Sequence, residues 1–205
     1  MVVETTKSAV VDGRRLRSER TRQYIIEAYM ALLRQNPRPP TASQIAERAG
    51  YSVRSLFERF PDLLSLSLAA ADHAFQQAAS QAGACNVDGD RQARIRSHVE
   101  TCAVTCERWL PLWRTLLHNQ HVSDQLPLRI ESTRSAIVAR LELAYRPELS
   151  ALSAKDRKAL LIVLEALTDF ESWGRMRERH DLSVEAAREV WINAIDRMLP
   201  PTPAS

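Results

Sequence analysis

Glycine is scarce in this chain, with 5 residues in 205, and aromatic residues make up only 6%. A β-sandwich or barrel needs frequent turn glycines and β-branched runs, so both are disfavoured. No stretch approaches the roughly 18 consecutive apolar residues of a membrane-spanning helix. The start, MVVETTKSAVVDGRR, has no long apolar region after a basic one, so it does not read as a signal peptide. Three cysteines is an odd number, and their spacing gives no disulfide framework. These absences predict a protein of the reducing cytoplasm. The catalytic patterns H-E-x-x-H, P-loop and G-x-S-x-G are also missing, and His73, His98, His118, His121 and His180 are scattered. Glu165 and Asp169 read as a polar helix face rather than a carboxylate dyad. No enzyme activity, cofactor or metal is therefore expected.

What is present is a helical period almost throughout, with no alternating strand pattern. An apolar content of 45% and a charged content of 26% are those of an ordinary globular protein. A first helix is predicted over 18–35, where Ile25, Ile26, Tyr29, Leu32 and Leu33 recur at three and four. Thr41-Ala-Ser-Gln44 has the spacing of a capping box, and Gly50 suits a left-handed helix end. Ser52 caps a second short helix at 53–59, and a long helix follows to about residue 82. Further helices are placed near 91–108, 111–121, 126–145, 154–179 and 184–199, with Pro111 among the breaks. The fold class is all-α, with about nine helices.

The segment 41–60, TASQIAERAGYSVRSLFERF, is a helix-turn-helix pattern. Ile45, Ala46 and Ala49 face inward on the first helix. The second helix presents Val53, Arg54 and Ser55 in its first turn, where a helix laid in the DNA major groove meets base edges. Arg54 is the expected reader, because a guanidinium makes a bidentate contact with guanine O6 and N7. Leu56 and Phe60 point back into the core.

These residues resemble the TetR family of transcriptional regulators. The family pattern is Thr-x-x-x-Ile-Ala-x-x-Ala-Gly-Val-Ser-x-x-(Thr/Ser)-(Leu/Phe)-(Tyr/Phe)-x-x-Phe between two longer helices. Thr41, Ile45, Ala46, Ala49, Gly50, Ser52, Ser55, Leu56, Phe57 and Phe60 fall in register with it. The resemblance spans about residues 19–66 and implies that Thr41 contacts a phosphate. Phe57 stands where the family often has a Tyr whose hydroxyl meets phosphate. Leu63 stands where it often has a Lys. Tyr51 replaces the usual small apolar residue of the turn. The resemblance further implies a dimer, an unknown small-molecule effector and, most often, repression.

Charge distribution agrees with a DNA reader. Residues 1–60 hold 11 Lys and Arg against 6 acids, a net +5, whereas the remainder holds 17 against 19, a net −2. The expected organisation is a flexible basic arm at 1–17, a three-helix DNA-binding domain at 18–66, a helical regulatory and dimerisation domain at 67–200 and a disordered tail at 201–205. Predicted DNA contacts are Thr41, Ser52, Val53, Arg54, Ser55, Phe57 and Arg59, with Arg14, Arg15 and Arg17 from the arm. The partners are then a palindromic double-stranded operator, an effector and a second copy joined through helices near 154–179 and 184–199. Leu160, Val163, Leu164, Leu167 and Phe170 are predicted to share one side of the former. Trp109, Trp113, Leu117, His118, His121 and Trp173 are candidate ligand-lining residues, although residues of these kinds are more often plain core or surface. Cys102 and Cys106, with His98, form a nominal thiolate/imidazole ladder on one helix face. Buried cysteine as a small hydrophobe is the alternative. A helical-bundle ligand carrier or enzyme that never touches DNA is the competing function.

Overall fold

The computed structural model describes residues 13–36, 39–82, 87–122 and 124–203. The described residues form ten α-helices and one π-helical turn, with no strand. The chain divides into two compact units, Met1–Ala70 and Ala71–Ser205. The division falls a turn beyond the boundary predicted at residues 66 and 67.

In the first unit, α1 is Gly13–Gln35, α2 is Ala42–Ala49 and α3 is Val53–Phe57. α4, Leu63–Ala82, starts in this unit and continues into the second. Ile25, Ile26, Tyr29, Met30 and Leu33 of α1 are buried, as are Ile45 and Ala46 of α2, Leu56, Phe60 and Leu66. Removing these side chains from water is the main stabilising term, about 1.5–3 kcal/mol for each large one. The buried hydroxyl of Ser67 donates to the Leu63 carbonyl and so accepts from Tyr29 Oη at 2.8 Å. α1 begins earlier than predicted. Residues 13–17, assigned to a flexible arm, are its first turns, while residues 1–12 lie outside the described residues. Pro61 does not enter the next helix. Asp62 caps α4 instead, accepting from the Ser65 amide at 2.6 Å.

The second unit is organised by α5, Arg91–His118, which packs against α6 (Gln125–Ala144), α9 (Phe170–Gly174) and α10 (Val184–Met198). α7 is Arg146–Ser150 and α8 is Ala154–Leu167. Two predicted boundaries are corrected. Pro111 does not break α5, although its ring removes one backbone donor. The flanking Trp109, Leu110, Leu112 and Trp113 are all buried, and their packing outweighs that loss. The predicted helix 154–179 is three pieces, because Asp169 accepts from the Ser172 amide at 2.6 Å and starts α9 afresh. A π-helical turn, Arg175–Arg179, follows. The break also changes the apolar face of α8. Leu161 and Leu164 are buried, whereas Val163, expected on one side with Leu164, is exposed beside Ile162.

The end of the chain is tied to the start of α5. Arg91 donates to the Asp196 carboxylate and to the carbonyls of Asp196, Leu199 and Pro200. Arg94 forms a buried ion pair with Glu148 of α7, and Thr202 donates to the same carboxylate oxygen.

Candidate nucleic-acid interface

Local hydrogen bonds fix the geometry of α2, the turn and α3. Thr41 Oγ1 accepts from the Gln44 amide at 3.3 Å, and Gln44 Oε1 accepts from the Thr41 amide at 2.9 Å. The capping box is therefore complete and satisfies two otherwise orphaned donors. Gly50 has φ +76°, a conformation in which a side chain is strained. The Tyr51 amide returns to the Ala46 carbonyl at 2.9 Å, closing the turn. Ser52 then caps α3 by accepting from the Ser55 amide at 3.1 Å. Leu56 and Phe60 anchor α3 from beneath, both at most 1% exposed.

The residues predicted to meet DNA differ in what remains available. Thr41, Ser52, Val53, Arg54 and Phe57 are exposed, and the Arg54 side chain is 88% accessible. Ser55 is half-buried and its amide is taken by the Ser52 cap. Arg59 is also half-buried. It donates to the Ser55 carbonyl at 3.0 Å, so it braces α3 more than it projects from it. Arg15 and Arg17 are exposed on the first turns of α1, and the Arg14 side chain lies outside the described residues. These arginines were expected on a mobile arm, to enter a minor groove or touch phosphates. They stand instead on an ordered helix, about 10–12 Å across against a minor groove about 6 Å wide.

Two contacts at this surface were not foreseen. Arg54 Nε donates to Glu58 Oε1 at 3.1 Å, and the Arg22 guanidinium lies 4.4 Å above the Phe60 ring. The first was readable from the four-residue spacing. The second joins segments far apart in sequence and had no local signal.

The candidate ligand residues of the second unit differ in their surroundings. Trp113 stacks on Phe170 at 5.0 Å, and Trp173 packs on Trp191 at 4.8 Å while donating to Glu107 at 2.7 Å. Trp109 is buried with the Arg108 guanidinium over its ring. Leu117 is half-buried, and His118 and His121 are exposed. A shallow groove of about 500 Å³, lined in part by Val138, Ala139, Glu142 and Glu165, contains none of the six. His98, Cys102 and Cys106 all lie on α5, as the spacing placed them. His98 Nδ1 bonds Tyr145 Oη at 2.6 Å, and burial, then the charge of Arg140, lowers its pKa to about 4. Burial pushes the Cys106 thiol up, away from the reactive thiolate. Among the described residues no three His, Cys, Asp or Glu side chains are placed to hold a metal ion, and no helix is long and apolar enough to cross a membrane.

No protein-family model matches the sequence, and no curated protein matches it. Solved structures do. A TetR-family transcriptional regulator from Streptomyces coelicolor superposes with TM-score 0.70 at 18% identity, over 88% of this chain and 80% of its own. A transcriptional regulator from Rhodococcus sp. Rha1 gives TM-score 0.70 at 13% identity, over 89% and 99%. The multidrug binding protein EbrR, complexed with malachite green, gives TM-score 0.55 at 18% identity, over 88% and 98%. With the capped helix-turn-helix of the first unit and the all-helical second unit, these likenesses show that the chain has the fold of the TetR-family transcriptional regulators.

Proposed function

We propose that this protein is a dimeric, ligand-responsive DNA-binding transcriptional regulator that represses from a palindromic operator. The observation that carries the reading is the α2–turn–α3 unit. Its cap, left-handed glycine and second cap are all formed, and its second helix leaves Val53, Arg54 and Phe57 exposed above a buried Leu56. In this reading α3 enters the major groove, Arg54 reads a base edge, and Thr41 and Phe57 meet the backbone. Arg15 and Arg17 add phosphate contacts from α1.

Two half-sites need two copies of α3. Ile162 and Val163 of α8 are 55% and 48% exposed, and Val190 of α10 is 46% exposed. Apolar side chains on these two helices support pairing with a second copy. A small effector is supported by the malachite green complex of EbrR. Its action would run through α4, the helix common to both units. Only an effector that binds one state more tightly can shift the spacing of the two α3 helices away from a DNA turn.

Selection of duplexes from a random pool by the full chain tests the reading. The expected product is a two-fold symmetric site, bound less tightly as salt rises. Arg54→Ala is expected to cost about 1–3 kcal/mol at that site and to relax its sequence, whereas Thr41→Ala weakens all duplexes alike. Binding to no duplex at any salt would overturn it.

A further inference from the structure

The side chain of Arg54 is exposed but not loose. Its Nε donates to Glu58 Oε1 at 3.1 Å, and the other oxygen of Glu58 lies 3.7 Å from Arg59 Nη1. Arg59 is itself held, donating to the Ser55 carbonyl at 3.0 Å. Its own carbonyl accepts from Arg22 at 3.3 Å, and Arg22 lies over the ring of Phe60, which is 1% exposed. A line of contacts thus leads from a buried ring, through Arg22, Arg59 and Glu58, to the guanidinium of Arg54. The final bond uses Nε and leaves the terminal nitrogens, Nη1 and Nη2, to form the two-pronged contact with guanine O6 and N7.

From this geometry we infer that Glu58 is a positioning residue for base reading, holding the Arg54 guanidinium in its reading orientation before a duplex arrives. The inference rests on α3 being the DNA-contacting helix. An untethered arginine loses much rotamer freedom on binding, and a partner that fixes it beforehand lowers that cost only where the fork finds its base. A carboxylate also repels phosphate, which slows binding to every duplex alike. The two effects therefore separate. Repulsion changes all affinities together, whereas positioning changes the ratio between correct and altered sites. The pair is largely exposed, so its loss spares the fold.

The test uses the full chain, a duplex selected by it from a random pool, and that duplex with each G·C pair changed singly to A·T. Glu58→Ala is expected to bind all duplexes at least as tightly at low salt, yet to lose about three- to tenfold in discrimination at the pair read by Arg54. Glu58→Gln keeps an acceptor for Nε without the charge and is expected to restore part of that ratio. An unchanged or higher ratio in Glu58→Ala, with Arg54→Ala still relaxing the same pair, would overturn this inference alone. An Arg54→Ala ratio equal to that of the wild type would overturn it by removing Arg54 as reader. Failure of the unaltered chain to bind any duplex would overturn the DNA reading and this inference together.

Discussion

The two units place their polar chemistry differently. Residues 1–70 contain no Trp, His or Cys, and the buried polar residues described there include Thr21 and Ser67, beside the buried Tyr29 hydroxyl. The hydroxyls of Thr21 and Ser67 are satisfied, Thr21 by the Arg17 carbonyl at 3.0 Å and Ser67 by Leu63 and Tyr29, while the buried Nε of the half-buried Arg59 has no partner. Charge in this unit is carried outward, where a polyanion can meet it. The second unit encloses charge: Arg94 and Glu148 are buried, as is His98. The first unit therefore depends on caps, a turn and an apolar core, and the second on buried ionisable groups remaining paired or neutral. All four tryptophans, Trp109, Trp113, Trp173 and Trp191, lie in the second unit, so their fluorescence reports on it separately.

The largest effect is expected from Glu148→Ala. Glu148 is 0% exposed and receives Arg94 and Thr202 on one oxygen. Removing it leaves the Arg94 charge buried with only the Gly89 carbonyl, which Nη1 meets at 2.9 Å. The expected loss is about 3–5 kcal/mol, read as a lower denaturant midpoint of tryptophan fluorescence. The double variant Arg94→Met, Glu148→Leu is expected to recover most of it, since neither charge then needs a partner. A loss below about 1 kcal/mol in the single variant would mean that the pair behaves as an exposed one, and the contrast between the units would weaken.

A pH titration sharpens the contrast next. His98 has its pKa lowered to about 4 in the folded chain, chiefly by burial, from 6.5. Its stabilising contribution is complete above pH 6.5 and is lost as pH falls towards 4, because the unfolded chain takes up the proton first. By pH 5 the loss is about 2 kcal/mol, before most carboxylates titrate. The tryptophan-monitored midpoint is expected to fall accordingly between pH 7 and 5, and to fall much less in His98→Gln. An equal fall in that variant would remove His98 as the cause. The first unit has no histidine to respond in this window.

What was legible in the sequence follows the same division. Thr41 with Gln44, Gly50 and Ser52 act through bonds to residues three to five positions away, so spacing alone reveals them. The helices of the second unit are decided by partners far along the chain. Pro111 stays helical because its neighbours are buried, and the break at Asp169 interrupts an apolar pattern that continues into Phe170 and Trp173. Trp113 stacks on Phe170 and Trp173 packs on Trp191, contacts between segments far apart in sequence that no local spacing announces. The exposure of Arg54 follows from its place in the helix, whereas the bracing by Arg22 requires the folded chain.

The smallest effect is the most selective. A Cβ built on Gly50 meets nothing within 4 Å, so Gly50→Ala introduces no clash and acts through φ +76° alone. The cost is about 1 kcal/mol, and Gly50→Asn should lose less because Asn tolerates the left-handed region. Hydrogen exchange of the full chain is the suitable readout. Amides of 41–60 are expected to exchange severalfold faster in Gly50→Ala, with the tryptophan midpoint unchanged. Should that midpoint fall by the same free energy, the units would unfold as one, and their different chemistry would not amount to separate stability. An unchanged midpoint with faster exchange would show that the turn between α2 and α3 is held by its own local bonds.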